Sequence, residues 1–277
     1  MPNENVKFFN PAAGPLQEET VIVTSVDGLA VGDVDIPAQD RTISAYFARP
    51  AGQPDPPLLL LLCEAFGVHE HIRDVVRRFA KEGYFAVAPD LMVRQGNPES
   101  FNDISVLVQD LLLKIPDDQV MTDLDSTVQW AEEQGANILQ ASVTGFCWGG
   151  RWTWLYASHR KLNAAVAWYG ILDGRRSDIF RGVLDRYPKH PIDLIGSLQT
   201  PVLGLYGGSD DAISLATIKD MQAALQEGSE AAKRSEIQIY LEAGHAFVAD
   251  YRSSYRKTAA LDGWNRCLAW LRELRSL

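Results

Sequence analysis

Cysteine is scarce in this sequence, and the few cysteines present do not form pairs. The 277 residues include three of them, Cys63, Cys147 and Cys267, at irregular intervals. A disulfide framework normally has an even set of cysteines at paired spacing, so a fold held together by such bridges is not expected. We therefore expect free thiols, which persist in a reducing compartment.

The sequence also lacks a targeting or membrane-spanning segment. Residues 1–7 contain no basic stretch followed by an apolar core, which a secretory signal requires. The longest apolar run, residues 56–63, is far shorter than the roughly 20 residues that a helix needs to cross a bilayer. Together with the unpaired cysteines, these absences predict a cytoplasmic protein.

Positive charge is in deficit. The chain has 26 lysines and arginines against 36 aspartates and glutamates, a net charge of −10, and the acidic residues are spread along its length. Proteins that bind nucleic acids or anionic membranes carry basic surfaces, so the charge balance argues against both partners. We expect a small-molecule substrate and a monomer or small homo-oligomer.

Short apolar runs that alternate with helical patterns make up most of the chain. Four runs are typical of strands buried on both faces of a parallel sheet: residues 58–63, 84–88, 164–169 and 201–206. The alternation predicts an α/β protein with one doubly wound, mostly parallel sheet and helices on both faces. Residues 19–277 are predicted to form this single domain, after a flexible arm over residues 1–18.

Three segments fall outside this alternation. Residues 20–24 and 42–50 are rich in β-forming residues, and residues 28–39 between them carry turn residues. Residues 171–199 show weak periodicity and are rich in Asp, Arg, Pro and Gly. We interpret this last segment as an irregular excursion over the carboxyl edge of the sheet, which either roofs a site or forms an ordinary surface loop.

Residues 142–150 have the pattern of a nucleophile elbow. A β-rich run leads into Gly-Phe-Cys-Trp-Gly-Gly, and a helix-forming segment follows at once. The reactive side chain of such an elbow lies on a strained turn, which requires glycine at Gly145 and Gly149. The dipole of the following helix favours a thiolate at Cys147. A buried structural cysteine is the alternative interpretation.

Polar residues follow several predicted strands, where ligands bind in open α/β sheets. These residues are Glu64, Asp90, Cys147, Asp210 and His245. The chain order of nucleophile, acid and histidine is that of α/β-hydrolase triads. A histidine oriented by a carboxylate can deprotonate a thiol, so we predict a triad of Cys147, Asp210 and His245. Asp211 competes with Asp210 for the acid, although it could instead begin the next helix.

Two other groups of residues have open interpretations. His69 and His71 flank Glu70, but spacing of i, i+2 does not bring both rings to one helical face. A structural or substrate-lining role is therefore expected for them rather than a metal site. Arg94 follows a predicted strand end, where it could bind a carboxylate through two parallel hydrogen bonds or be a solvated loop arginine.

An ordered set of motifs carries a family resemblance. The set comprises Glu64-Ala-Phe-Gly-Val after an apolar strand, Asp90-Leu-x-x-Arg94, Gly-Phe-Cys147-Trp-Gly-Gly, Gly-Gly-Ser-Asp210 and Ala-Gly-His245-Ala-Phe. From about residue 40 to the C-terminus, the chain resembles the dienelactone hydrolase (carboxymethylenebutenolidase) family. The resemblance implies an α/β-hydrolase fold, no cofactor or metal, and a Cys–His–Asp triad that reacts through a thioester acyl-enzyme.

The same resemblance implies roles for five more residues. Glu64 would hold the thiol in the resting enzyme. The backbone amides of Ala65 and Trp148 would form the oxyanion hole. Arg94 matches a family arginine that binds the substrate carboxylate. Tyr169 is also predicted to bind substrate.

One position departs from the family pattern. A second carboxylate-binding arginine of the family lies four residues after the histidine of the triad, where this chain has Ala249, and Arg252 is out of register. This departure argues against dienelactone itself as the substrate, so we expect hydrolysis of a lactone or small activated ester. The alternative is a non-catalytic small-molecule binding protein on the same scaffold, because a fold alone does not determine function.

Overall fold

The computed structural model describes residues 9–177 and 187–274, which divide into two compact units. Of the described residues, the first unit comprises residues 9–141 and 250–253. The second unit comprises residues 142–177, 187–249 and 254–274. Each unit contains strands and helices of its own.

In the described part of the first unit, antiparallel and parallel strands combine with helices. The strands are β1 (Leu29–Pro37), β2 (Thr42–Pro50), β3 (Pro57–Leu62) and β4 (Phe85–Pro89), and the helices are α1 (Glu70–Lys81), α2 (Ile104–Asp110) and α3 (Asp117–Glu133). The strand order is β1-β2-β4-β3. The pairs β1–β2 and β2–β4 are antiparallel, whereas β3 and β4 are parallel.

The second unit has a wholly parallel set of strands. Strand β5 (Asn137–Phe146) begins in the first unit and enters the second at Ser142. The remaining elements are β6 (Ala164–Trp168), β7 (Val202–Gly207), β8 (Glu236–Tyr240), α4 (Trp148–His159), α5 (Leu215–Glu227), α6 (Glu230–Lys233) and α7 (Lys257–Glu273). The order is β5-β6-β7-β8, and each neighbouring pair is parallel.

Burial explains why these segments form the elements that they do. Every residue of β3, β4, β6 and β7 is buried, as expected for strands covered on both faces. Helix α1 buries Ile72, Val76 and Phe79, whose spacing of i, i+4 and i+7 puts them on one face against β2 and β4. The prediction of an α/β protein with a mostly parallel sheet is confirmed.

The prediction for residues 28–39 was wrong, because Leu29–Pro37 form strand β1. The turn-forming Gly and Asp residues of this segment are tolerated because β1 is an edge strand, paired along one side with β2. Residues 20–24 do not form the strand that their composition suggests. The amide of Thr24 instead donates to Asp74 Oδ1 at 2.6 Å, so this segment is held by a side chain rather than by a ladder of backbone hydrogen bonds.

The remaining features concern helix ends and loops. Helix α2 ends at Asp110, and a 3₁₀ turn over Leu112–Lys114 follows it. Helix α6 had no sequence prediction. The described parts of the 171–199 excursion contain 3₁₀ turns at Gly174–Arg176 and Pro191–Ser197, and residues 178–186 lie outside the described residues. In the part of the chain that the structure describes, no helix combines the length and apolarity needed to span a membrane.

Residues 9–13 of the predicted arm pack within the first unit. The side chains of Phe9, Asn10 and Ala13 are buried, and Asn10 Nδ2 donates to the carbonyl of Phe66 at 3.2 Å. The flexibility of residues 1–18 and the single-domain organisation of residues 19–277 stay predictions.

Candidate active site

Cys147 lies on a sharp turn between β5 and α4. Its φ of 53° and ψ of −109° are in a region that side chains other than glycine rarely adopt. The Cys147 amide donates to the Trp168 carbonyl at 3.0 Å, and its carbonyl accepts from the amide of Arg151 at 3.1 Å. The turn is therefore fixed on both sides, by strand β6 and by the first hydrogen bond of helix α4, which is the backbone geometry of a nucleophile elbow.

Two glycines allow this turn to pack. A Cβ at Gly145 would lie 2.3 Å from the Gly149 carbonyl oxygen, and one at Gly150 would lie 2.5 Å from the Trp168 carbonyl oxygen. Both distances are shorter than a carbon can approach, so the elbow needs glycine at these positions. The requirement at Gly145 agrees with the sequence prediction, whereas Gly150 had not been singled out.

Asp210 lies in the turn after β7 and is held by the backbone. Its Oδ1 accepts hydrogen bonds from the amides of Ala212 at 2.8 Å and Ile213 at 3.0 Å. Its Oδ2 lies 2.8 Å from Nδ1 of His245. Asp210 is only 7% exposed, whereas the neighbouring Asp211 is exposed. Of the two competing acids, Asp210 is the one in contact with the histidine.

His245 links Asp210 with Cys147. The ring lies in the turn after β8, and its side chain keeps 27% of its exposure. Burial by itself lowers the pKa of His245, but its interactions with Cys147 and Asp210 raise it well above its ordinary value. Because Nδ1 is bonded to Asp210, the nitrogen that remains for the sulfur is Nε2.

The tryptophan after Cys147 supplies a backbone donor. Trp148 is the first residue of α4, so its amide has no partner within the helix. Its side chain is buried and contacts the rings of Trp152 and Tyr187, each at a centroid distance of 6.2 Å. A helix amide beside the thiol, anchored by a buried indole, is suited to stabilise negative charge on a reacting carbonyl.

Tyr169 lies beside His245. It directly follows β6, with a φ of 37°, and its amide donates to the Leu205 carbonyl at 2.9 Å. Its ring meets the His245 ring edge-on, with the centroids 5.1 Å apart, and also packs on Phe247. Tyr169 therefore packs against His245 within the second unit and is fully buried, and its role in substrate binding stays a prediction.

Arg94, the other predicted substrate-binding residue, lies in the first unit between two aspartates. Its guanidinium makes paired hydrogen bonds to Asp123, with N–O distances of 2.6 and 2.9 Å. It also bonds Asp40 through Nε and Nη2. The Asp123 side chain is only 1% exposed, so this pairing neutralises a buried carboxylate. A substrate carboxylate would have to replace one of the two aspartates.

Glu64 follows β3 in the first unit and is 1% exposed. The Tyr251 hydroxyl donates to its Oε1 at 2.6 Å, and His69 Nε2 lies 3.5 Å from the same oxygen. Burial raises the pKa of this carboxyl, but His69, the neighbouring His71 and Arg252 outweigh that effect and lower the pKa to about 2. Glu64 is therefore ionised throughout the ordinary pH range. Sequence reasoning missed Tyr251, because no local pattern links residues that far apart in the chain.

The two histidines near Glu64 do not form a metal site. His71 Nδ1 lies 3.3 Å from Asp250 Oδ1, and His69 faces Glu64. Within residues 9–177 and 187–274, no group of three or more His, Cys, Asp or Glu side chains is placed to hold a metal ion. Each histidine lies against one carboxylate, an arrangement typical of histidines with a structural role.

Comparison with known proteins decides the family. The sequence profile of the "Dienelactone hydrolase family" matches residues 43–275. A candidate carboxymethylenebutenolidase of Escherichia coli K12 is 46% identical over 267 residues, which are 96% of this chain and 94% of that protein. The chain belongs to the dienelactone hydrolase family.

Two further proteins extend the comparison with the dienelactone hydrolase family. The crystal structure of a candidate dienelactone hydrolase from Klebsiella pneumoniae has a TM-score of 0.82 and 47% identity, covering 88% of this chain and 98% of that chain. A Bradyrhizobium protein described as a candidate 2-oxo-3-(5-oxofuran-2-ylidene)propanoate lactonase is 28% identical over 90% of this chain and 96% of its own length. The predicted α/β-hydrolase fold and hydrolase class are thereby confirmed.

Proposed function

We propose that this chain hydrolyses lactones or small activated esters without a cofactor, with Cys147 as nucleophile, His245 as base and Asp210 as the acid that orients it. The observation that carries the proposal is the position of His245, which bonds the buried Asp210 at 2.8 Å and has its pKa raised by its interactions with Asp210 and with Cys147 on the strained turn. A thiol, an imidazole and a fixed carboxylate in this order can generate a thiolate near neutral pH.

The reaction proceeds in two halves. The Cys147 sulfur, whose proton passes to His245, attacks the substrate carbonyl and forms a tetrahedral oxyanion next to the Trp148 amide. The intermediate collapses to a thioester as the carbon–oxygen bond breaks, and the protonated imidazole gives its proton to the leaving oxygen. His245 then takes a proton from water, the resulting hydroxide attacks the thioester, and the carboxylic acid leaves as the thiol is regenerated.

The substrate class follows from the leaving group. A thiolate departs from a tetrahedral intermediate more readily than an amide nitrogen or an ordinary alkoxide, so the leaving group has to be a good one, such as an enolate or a phenolate. A lactone keeps its leaving oxygen tethered to the acyl group, which the site has to hold until water attacks. Arg94 already bonds two aspartates, which supports a substrate defined by its carbonyl rather than by a second carboxylate.

Other parts of the assignment stay predictions. They are the thiol-holding role of Glu64, the Ala65 amide as a second oxyanion donor, the contribution of Arg94 and Tyr169 to substrate binding, a cytoplasmic location, a monomeric or small homo-oligomeric state, and the absence of nucleic-acid and membrane partners.

The test is intact mass spectrometry after brief exposure to a panel of enol-lactones and p-nitrophenyl esters. The proposal expects an acyl adduct on Cys147, turnover of at least one substrate, and loss of both in Cys147→Ala. The alternative, a non-catalytic binding protein, expects ligand binding with no adduct, no turnover and no labelling of Cys147 by iodoacetamide. Turnover that survives in Cys147→Ala would disprove the assignment of the nucleophile.

A further inference from the structure

Behind Glu64 lies a buried cluster of titratable side chains, most of which the proposed reaction does not use. The cluster, called here the Glu64 cluster, consists of Glu64, His69, His71, Asp250 and Tyr251. All five residues belong to the first unit, and each is at most 3% exposed. So many polar groups are buried together only when they form hydrogen bonds or ion pairs with one another.

Each carboxylate of the Glu64 cluster has its own partners. The Tyr251 hydroxyl donates to Glu64 Oε1 at 2.6 Å, which is short for a neutral donor and typical of a bond to an ionised acceptor. The Asp250 carboxylate lies 3.3 Å from His71 and 2.5 Å from Arg78. Tyr251 thus makes the shorter of the two contacts with Glu64 Oε1, the other being His69 Nε2 at 3.5 Å, while the adjacent Asp250 is neutralised separately.

The ring of Tyr251 is fixed by aromatic neighbours on three sides. Its centroid lies 4.8 Å from that of His71, 5.3 Å from that of His69 and 5.1 Å from that of Phe9. The ring is also fully buried, so a rotation that moved the hydroxyl away from Glu64 would have to displace packed neighbours.

A segment upstream of the family match also holds Tyr251. Residues 9–20 precede the matched residues 43–275. Within this segment, Phe9 contributes the ring described above, and the Gln17 amide donates to the Tyr251 carbonyl at 2.8 Å. The Thr20 hydroxyl donates to the carbonyl of Asp250, the preceding residue. Both the side chain and the backbone of Tyr251 are therefore anchored by residues 9–20.

We propose that Tyr251 is a positioning residue: its hydroxyl fixes the orientation of the Glu64 carboxylate, and residues 9–20 fix Tyr251. The inference rests on the proposed participation of Glu64 in the reaction. A carboxylate that acts on a proton has to be held in one orientation, because its reactivity depends on which oxygen and which lone pair face the proton. A short hydrogen bond to one oxygen leaves the other oxygen in a defined place.

The test compares four variants in the hydrolysis of p-nitrophenyl acetate: Tyr251→Phe, Glu64→Gln, the double variant and the matched control Tyr240→Phe. Tyr251→Phe removes one hydroxyl and keeps the packed ring. Tyr240→Phe removes a hydroxyl that donates to another carboxylate, Asp262 Oδ2, at 2.7 Å. We expect kcat to fall about tenfold to a hundredfold in Tyr251→Phe, the range for a lost hydrogen bond to a buried charge, with KM changed less than threefold.

The double variant separates positioning from general stability. If Tyr251 acts through Glu64, Tyr251→Phe in the Glu64→Gln background lowers kcat no further than Glu64→Gln alone. Phe9→Ala is a second probe that leaves the hydroxyl in place, and its smaller loss of kcat should also disappear in the Glu64→Gln background. Tyr240→Phe should keep kcat within twofold of the wild type.

Three results would overturn the inference: wild-type kcat in Tyr251→Phe, an equal loss in both backgrounds, or wild-type kcat in Glu64→Gln. Acylation of Cys147 by p-nitrophenyl acetate, followed by intact mass, tests the proposed function separately. If wild-type Cys147 forms an adduct and any of these three results is also found, the positioning role of Tyr251 is disproved, whereas the assignment of Cys147 as nucleophile stands. No adduct on Cys147 in the wild-type protein would remove the proposed function, and the inference with it.

Discussion

Asp210 offers the sharpest test of the triad, because its two oxygens have separate tasks. One oxygen accepts hydrogen bonds from the amides of Ala212 and Ile213, and the other is hydrogen-bonded to Nδ1 of His245. In Asp210→Asn, the asparagine oxygen can keep both backbone hydrogen bonds, so the turn should stay intact. The side-chain NH₂ would then face Nδ1 of His245, where two donors cannot form a hydrogen bond.

The histidine has to respond by exchanging its tautomer. With Nδ1 as an acceptor from the asparagine, Nε2 carries the proton and cannot accept one from Cys147. Loss of the negative charge also lowers the pKa of His245, because Asp210 is one of the groups that raise it. The lost charged hydrogen bond accounts for about 1.5–3 kcal/mol, or tenfold to a hundredfold. The wrong tautomer extends the loss toward the roughly 10,000-fold fall in kcat known for the same change in a serine protease triad.

The assay is kcat for p-nitrophenyl acetate near neutral pH, together with the rate at which iodoacetamide alkylates Cys147. Both should fall by about 100-fold to 10,000-fold in Asp210→Asn. Asp211→Asn is the matched control, since it makes the same change at the exposed neighbour and should stay within threefold of the wild type. Asp210→Asn with kcat within threefold of the wild type, and with the fold intact by circular dichroism, would refute the reasoning about the tautomer.

Three further predictions concern stability. Gly145→Ala should lower the free energy of unfolding by about 1–3 kcal/mol in urea denaturation, because its Cβ would lie 2.3 Å from the Gly149 carbonyl oxygen. Gly196→Ala is the control: Gly196 has open space around it, so this change should be nearly neutral. Glu64 has its pKa lowered from 4.5 to about 2, so its contribution of about 3 kcal/mol to stability is present above pH 4.5 and is lost as the pH falls toward 2. Unfolding of Glu64→Gln at several pH values between 6 and 3 should lack this part of the acid dependence, and an unchanged dependence would contradict the lowered pKa. Arg94→Ala leaves the buried Asp123 carboxylate without its bidentate partner and should lower the melting temperature through a loss of about 3 kcal/mol; a melting temperature equal to the wild type would show that the pair contributes nothing.

Local signals in the sequence predicted the parts of the fold that depend on local physics. The apolar runs of β3, β6 and β7 correspond to strands because a strand buried on both faces has apolar side chains at nearly every position. The glycine-rich turn at Cys147 corresponds to a strained elbow because only a few residue types permit that backbone. The prediction failed at β1, whose turn-rich composition becomes a strand only because β2 lies alongside it.

Short motifs in a fixed order were enough to predict the family, the hydrolase class and the three residues of the proposed triad. The sequence favoured Asp210 over the adjacent Asp211, and the folded chain adds the contact of Asp210 with His245. It is the fold alone that brings the Tyr251 hydroxyl to Glu64 and pairs Arg94 with two aspartates. These contacts join residues far apart in the chain. Sequence patterns cannot reveal them, because hydrogen bonds and charges act over a few ångströms in space, whatever the separation along the backbone.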